Sequence, residues 1–178
     1  HTANRRQRQM CIRDRYISDA NPTKVIVNID GVGAFDHICR ARMFEQLMAD
    51  PGLHQLLPFV RQWYGIRSKF VWRDEQGTAH FIYQGDGGEQ GDALMPALFC
   101  LALHPALCCI RDALPPGAEV VAYLDGLYVC CDPEDAAGVV DLVQQALADI
   151  CHVNVHLGKL AVRGHAATPC PEDLAEAA

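Results

Sequence analysis

The 178-residue chain has no apolar run of the ~18 residues that a membrane-spanning helix needs. No apolar stretch follows the charges of HTANRRQRQM, so the opening does not read as a secretory leader. No C-x-x-C pair occurs among nine cysteines, which removes the usual zinc-ribbon spacing. No internal repeat is present. Positive charge is scarce: 15 Lys and Arg stand against 22 Asp and Glu, for a formal charge of −7. Residues 1–15 carry five Arg against Asp14 alone, which leaves 10 basic and 21 acidic residues elsewhere. Nucleic-acid-binding domains are mostly basic overall, so any such contact here must be a local patch.

What is present is a globular composition, half hydrophobic and 21% charged, of a length that suits one domain. A disordered tail, a collagen-like fibre and a coiled coil are excluded. Residues 1–18 lack a hydrophobic period, and RRQRQMCIRDR resembles translated sequencing adapter. We read this segment as a non-folding basic head; the alternative is a phosphate-binding arm. The chain opens on His rather than Met, which reads as a piece of a longer frame. A domain is expected over 24–163, with a frayed tail over 164–178. Cysteines in apolar stretches (Cys100, Cys108, Cys109, Cys130, Cys131) read as small buried hydrophobes in a reducing, intracellular setting, nucleus or cytoplasm. Cys151, His152 and His156 make only a weak metal corner.

Val25–Asp30 is a β-branched run that ends at an acid, and reads as a buried strand. Helical spacing predicts a helix over His37–Met48, ended by Pro51-Gly52, and a second over Leu53–Trp63 that Pro58 kinks or divides. Lys69–Arg73 and His80–Tyr83 read as a hairpin around Asp74–Gly77. A glycine-rich loop over residues 85–92 precedes a long apolar helix from Leu94 to Leu114. Val120–Leu124 and Leu127–Cys131 flank Asp125-Gly126, a strong hairpin signal. A helix over Asp135–Ile150 and a strand over Val153–Leu157 complete the pattern.

Two acids therefore sit where strands end, Asp30 and Asp125. If both strands share a sheet, both carboxylates project from one edge. Adjacent carboxylates favour divalent cations, and paired Mg²⁺ ions stabilise both oxygens of a phosphoryl-type displacement. Mg²⁺ needs only one or two protein carboxylates.

Four segments in order resemble the palm motifs of reverse transcriptases. Ile29-Asp30-Gly31-Val32-Gly33-Ala34-Phe35-Asp36 is similar to the first, D-x-x-x-A-F-D. Residues 88–99, GEQGDALMPALF, are similar to the second, Q-G-D-P-L-x-P-x-L-F. Tyr123-Leu124-Asp125-Gly126 matches the third, Y-x-D-D, except at its last position, and Asn154 to Lys159 is similar to the fourth. The resemblance covers about residues 25–160 and is nearest the non-long-terminal-repeat retrotransposon group. It implies an α+β fold: a palm-like small antiparallel sheet with both acids on one edge and helices packed on one face.

The resemblance also implies roles. Asp30 and Asp125 would hold Mg²⁺ or Mn²⁺. Phe35 would lie under the sugar of the incoming nucleotide; its bland reading is core packing. Gln90 and Gly91 would line the template–nucleotide pocket. Lys159 would stand near the triphosphate and protonate the leaving pyrophosphate, or be a solvated charge. Asp36 and Asp92 match motif positions but read as local caps. The implied partners are an RNA template with a DNA primer and deoxynucleoside triphosphates, and no membrane. Arg61, Arg67, Lys69 and Arg73 alternate with Trp63, Tyr64, Phe70 and Trp72. That interleaving suits backbone contact and base stacking, or an ordinary amphipathic hairpin.

Gly126 departs from the family by removing a carboxylate, Ala93 replaces a proline, and Leu160 stands where Thr is common. About 24 residues precede the strand that begins at Val25 and fewer than 20 follow Lys159, too few for the family's fingers and thumb. The expectation is a polymerase palm without detectable activity. A non-catalytic relic or weak nucleic-acid-binding scaffold is the alternative. Another two-metal enzyme, such as a nucleotide cyclase, is disfavoured by Gln90-Gly91-Asp92.

Overall fold

Strand β1 (Val25–Asp30) lies in the middle of the computed structural model, which describes residues 20–89 and 91–164. Its alternate residues Val25, Val27 and Ile29 are buried to within 1% exposure. Antiparallel β5 (Gly126–Cys131) pairs on one side and β6 (Ala161–Gly164) on the other. Strand β4 (Glu119–Tyr123) completes a four-stranded sheet of order β4-β5-β1-β6. The register sets Val27 opposite Val129 and Ile29 opposite Leu127. A period of two then sends one set of side chains into the helices and leaves Asn28, Asp30, Gly126 and Tyr128 on the other face.

The helices follow from apolar stripes at helical spacing. They are α1 (Ala34–His37), α2 (Arg40–Ala49), α3 (Leu57–Tyr64), α4 (Met95–Ala113) and α5 (Ala136–Ala146). Leu98, Ala102 and Ile110 of α4 and Val139 and Val143 of α5 join β1 and β5 in one core. The α+β reading holds: an antiparallel sheet with helices on one face. A separate two-stranded hairpin, β2 (Ser68–Arg73) with β3 (Ala79–Gln84), stands outside that core.

Several expectations need correction. The helix over His37–Met48 is broken: α1 ends at His37, Ile38 and Cys39 are extended, and α2 starts at Arg40. The break frees the Ile38 carbonyl to accept from Gly87 N (2.8 Å), while Cys39 N donates to Cys151 O (3.0 Å). Distant backbone partners outweigh local periodicity here. Pro58 does divide its segment: a 3₁₀ stretch, Pro51–Leu56, precedes α3, with the proline in the first turn.

Val153–Leu157 is no strand. Only Val155 bridges to Gly31, and the last strand lies at Ala161–Gly164. Helix α4, at 19 residues, is long and apolar enough by length and composition to cross a membrane, against the opening expectation. In this fold its buried stripe is part of the domain core.

Cys130 and Cys131 are buried as expected, as are Cys39 and Cys151, whereas Cys108 is half-buried and Cys100 and Cys109 are exposed on α4. Burial pushes the Cys131 and Cys151 thiols up to about 11. Among the described residues no three His, Cys, Asp or Glu converge as a metal cage, so the Cys151 corner is not formed. The basic head over 1–18 and residues 165–178 of the tail lie outside the described residues.

Candidate active site

The β4–β5 connection brings the two acids together. Tyr123 pairs with Gly126, so the turn residues are Leu124 and Asp125 rather than Asp125-Gly126. Leu124 takes the left-handed conformation (φ 55°). Tight two-residue hairpins need a positive φ near this point, and a bulky side chain held there carries strain. Gly126 is instead the first residue of β5 and sits directly opposite Asp30. A Cβ at 126 would lie 3.4 Å from Tyr128 Cε2 and 3.5 Å from Tyr123 O, ordinary contact distances. Nothing in the backbone therefore demands glycine at this position.

Asp30 closes β1 with its side chain 31% exposed. Its backbone carbonyl accepts from His156 N at 2.8 Å. Its carboxylate Oδ2 accepts from Lys159 Nζ at 2.9 Å. Asp30, Asp125 and Lys159 line one open depression with Asn28, Gly126 and Tyr128. Three residues far apart in the sequence thus line one depression. The donor set is two carboxylates open to water. Hard oxygen donors of this number fit Mg²⁺ or Mn²⁺, which keep several waters and share oxygens with a bound phosphate.

Phe35 stacks on the buried ring of Phe99, with centroids 4.3 Å apart and planes 15° apart. It is half-buried, so core packing accounts for one face of the ring. The glycine-rich loop is fastened beside it: Gly88 N donates to Phe35 O at 2.9 Å. Glycine is required at two positions. A Cβ on Gly87 (φ +69°) would meet Asp36 O at 2.1 Å, and one on Gly88 would meet Met95 Sδ at 1.9 Å. Gly91 has φ +96° and open space around it, so its glycine answers to backbone conformation. Gln90 lies outside the described residues. Asp92 does bond locally: its Oδ1 accepts from Leu94 N at 2.8 Å, and its Oδ2 accepts from the Tyr64 hydroxyl. Burial and the Asp92 carboxylate push the Tyr64 phenol up to about 12.

Arg40 was missed by sequence reasoning. It is 4% exposed and the buried charged side chain of the described core. Its Nε donates to Gly87 O (2.7 Å), Nη1 to Ile66 O (2.9 Å) and Nη2 to Ser68 Oγ (2.9 Å). Its guanidinium also lies 5.2 Å from the Tyr64 ring centroid. Burial lowers its pKa, opposed by Tyr64, Glu89 and Asp86. In sequence it is one of two arginines in Arg40-Ala41-Arg42, and nothing local separates it from a solvated charge.

The basic and aromatic set does not form one surface. Arg61 and Trp63 are exposed on α3, and Arg67 is exposed before β2. Tyr64 is buried. Lys69 and Arg73 share one face of the hairpin, while Phe70 and Trp72 point to the other. Lys69 Nζ lies 4.0 Å from the Phe81 ring centroid. None of these four cations lines the carboxylate depression.

The family model described as reverse transcriptase (RNA-dependent DNA polymerase) matches residues 2–164. The chain belongs to the reverse transcriptase family. No curated protein matches it. Among solved structures, Candida albicans telomerase with a TWJ fragment of telomeric RNA superposes at TM-score 0.59 and 13% identity, over 83% of this chain and 29% of that one. Candida tropicalis telomerase with the same kind of fragment gives TM-score 0.61 and 11% identity, over 90% and 29%. Apo Candida tropicalis telomerase truncated from its C-terminal domain gives 0.58 and 13%, over 90% and 35%. The chain therefore spans about a third of these telomerase chains. At such identity the likeness is one of fold: the four-stranded sheet and its helices are similar to the palm fold of those chains.

Proposed function

We propose that this chain is the palm of an RNA-directed DNA polymerase of non-long-terminal-repeat retrotransposon type, with nucleotidyl transfer lost through Gly126. The observation that carries the reading is Asp30 closing β1 opposite Gly126, with Asp125 in the adjoining turn. Asp30 and Asp125 are the residues that would hold Mg²⁺ or Mn²⁺. When bound, such ions neutralise triphosphate oxygens and acidify the attacking hydroxyl. Phe35 supports the sugar of the incoming nucleotide, and motif position assigns Gln90 and Gly91 to the template–nucleotide pocket. Lys159 is the proton donor within reach of the carboxylates. The partners are an RNA template, a DNA primer and deoxynucleoside triphosphates.

Gly126 subtracts a carboxylate from the face that carries Asp30. The space around position 126 admits a Cβ, so the turn does not account for the missing carboxylate. The test is primer extension on an RNA template with Mg²⁺, comparing the chain with its Gly126→Asp variant. The expected result is no extension by the chain itself. Extension by the unaltered chain overturns the claim of lost activity.

A second reading, a non-catalytic scaffold that binds nucleic acid weakly, is favoured by the exposed hairpin. There Lys69 and Arg73 share a face with Phe81 and Tyr83. Arg61 and Arg67 add two exposed cations nearby in sequence. An intracellular, reducing setting suits the seven unpaired cysteines among the described residues.

A further inference from the structure

We infer that Lys159 is the resident counter-cation of Asp30 and competes with a divalent ion for that carboxylate. The inference rests on the reading of Asp30 and Asp125 as the metal-holding pair. Its first support is geometry. Lys159 Nζ stands 2.9 Å from Asp30 Oδ2, within the range of a charge-assisted hydrogen bond. The ammonium therefore sits against the oxygen that an incoming cation would need.

The second support is how the lysine is delivered. The segment before it is fastened to the strand end that carries its partner. Val32 N donates to Asn154 O (2.8 Å), Val155 bridges to Gly31, and His156 N donates to Asp30 O (2.8 Å). Lys159 N then donates to His156 O (2.9 Å), closing a 3₁₀ turn over Leu157–Lys159. The backbone that presents Lys159 is thus built on Asp30 itself.

The third support is charge balance. The charged groups lining the depression are Asp30, Asp125 and Lys159, with Asn28, Gly126 and Tyr128 neutral. Two carboxylates and one ammonium leave a net charge of −1, a poor host for a divalent cation. Gly126 makes this balance possible, because an aspartate there would face Asp30 across the strands and raise the net charge to −2. The Lys159 side chain is 59% exposed, so it can move off into water. An exposed pair of this kind biases its own equilibrium by at most about fivefold. The lysine is accordingly a displaceable occupant, and it must leave Asp30 before it can serve a triphosphate.

The test is Mn²⁺ binding to the full chain, followed by the loss of the free-ion electron paramagnetic resonance signal. Lys159→Gln is expected to tighten Mn²⁺ binding about two- to fivefold, the loss of one exposed competing cation. Lys159→Arg, which keeps the charge, is expected to bind as weakly as the unaltered chain. Gly126→Asp should also tighten binding, and Asp30→Asn should abolish it. If Lys159→Gln matches the unaltered chain while the Asp30 and Gly126 variants behave as stated, the competition is refuted and the metal reading stands. Mn²⁺ binding that survives Asp30→Asn undamaged sinks the metal reading and the inference with it. Absence of binding in every variant, Lys159→Gln included, does the same.

Discussion

Two antiparallel β structures of similar composition meet opposite fates in this chain. Strands β1 and β5 read VIVNID and GLYVCC, and β2 and β3 read SKFVWR and AHFIYQ. All four are rich in β-branched and aromatic residues, which favour extended backbone. In the palm sheet, Val27 and Val129 are fully buried under the helices. In the hairpin, Val71 is 55% exposed and its cross-strand partner Phe81 is 52% exposed. The difference is cover. Helices α4 and α5 lie over one face of the palm sheet, while neither face of the hairpin has a helix of its own.

A lone two-stranded hairpin is marginal in water. This one is held by its turn and its base. At the turn, Asp74 Oδ1 accepts from Gln76 N (3.1 Å) and Thr78 N (2.8 Å), and its Oδ2 meets His80 Nε2 at 2.8 Å. The His80 contact leads the causes that hold the Asp74 carboxyl below its ordinary range. At the base, Arg40 reaches Ser68 Oγ and Ile66 O, and Gln84 Nε2 donates to Asp36 O at 3.3 Å. The hairpin is thus tied to the palm by polar contacts.

If Arg40 is the joint between the two regions, Arg40→Met should have the largest effect. It strands the Gly87 and Ile66 carbonyls, at a cost of roughly 2–4 kcal/mol. Urea unfolding would measure the loss, and limited proteolysis should cut between residues 66 and 88 sooner than in the parent. A matched pair sharpens the contrast of cover. Val129→Ala removes two buried carbons and should cost about 2 kcal/mol, while Val71→Ala should stay within about 0.5 kcal/mol. Equal costs for the two would show that the hairpin is as well packed as the sheet.

The smallest effect concerns Tyr64 and Asp92, which tie α3 to the start of α4. Tyr64→Phe should cost about 1–2 kcal/mol at neutral pH. The fold raises the Tyr64 pKa to about 12, so it favours the neutral phenol. The stability this confers is complete below the unfolded phenol's pKa of about 10. It is lost as pH climbs from there towards about 12. Tyr64→Phe should flatten that alkaline limb in thermal melts taken across the range.

Much of the fold was legible because its signals are local. Val25–Asp30, the hairpin around Asp74–Gly77 and the long helix closed by Pro115-Pro116-Gly117 each carry their own periodicity and terminators. Motif order singles out Asp30, Asp125 and Lys159, and the fold sets these three around one depression. The hidden parts depend on distant partners. The break at Ile38-Cys39 answers to Gly87 and Cys151. The bridge at Val155 displaces an expected strand because β1 already pairs with β6 on that side.

By itself the amino-acid sequence determined most of the strands and helices, the family and the missing carboxylate at position 126, since these are properties of residue types and their spacing. Tertiary structure alone decided which arginine is buried, where the β4–β5 turn falls, and that Lys159 rests on Asp30. Each of those outcomes depends on which backbone groups and charges the packed chain brings within hydrogen-bonding distance. Local periodicity has no access to that choice, because the partners lie up to 129 residues apart.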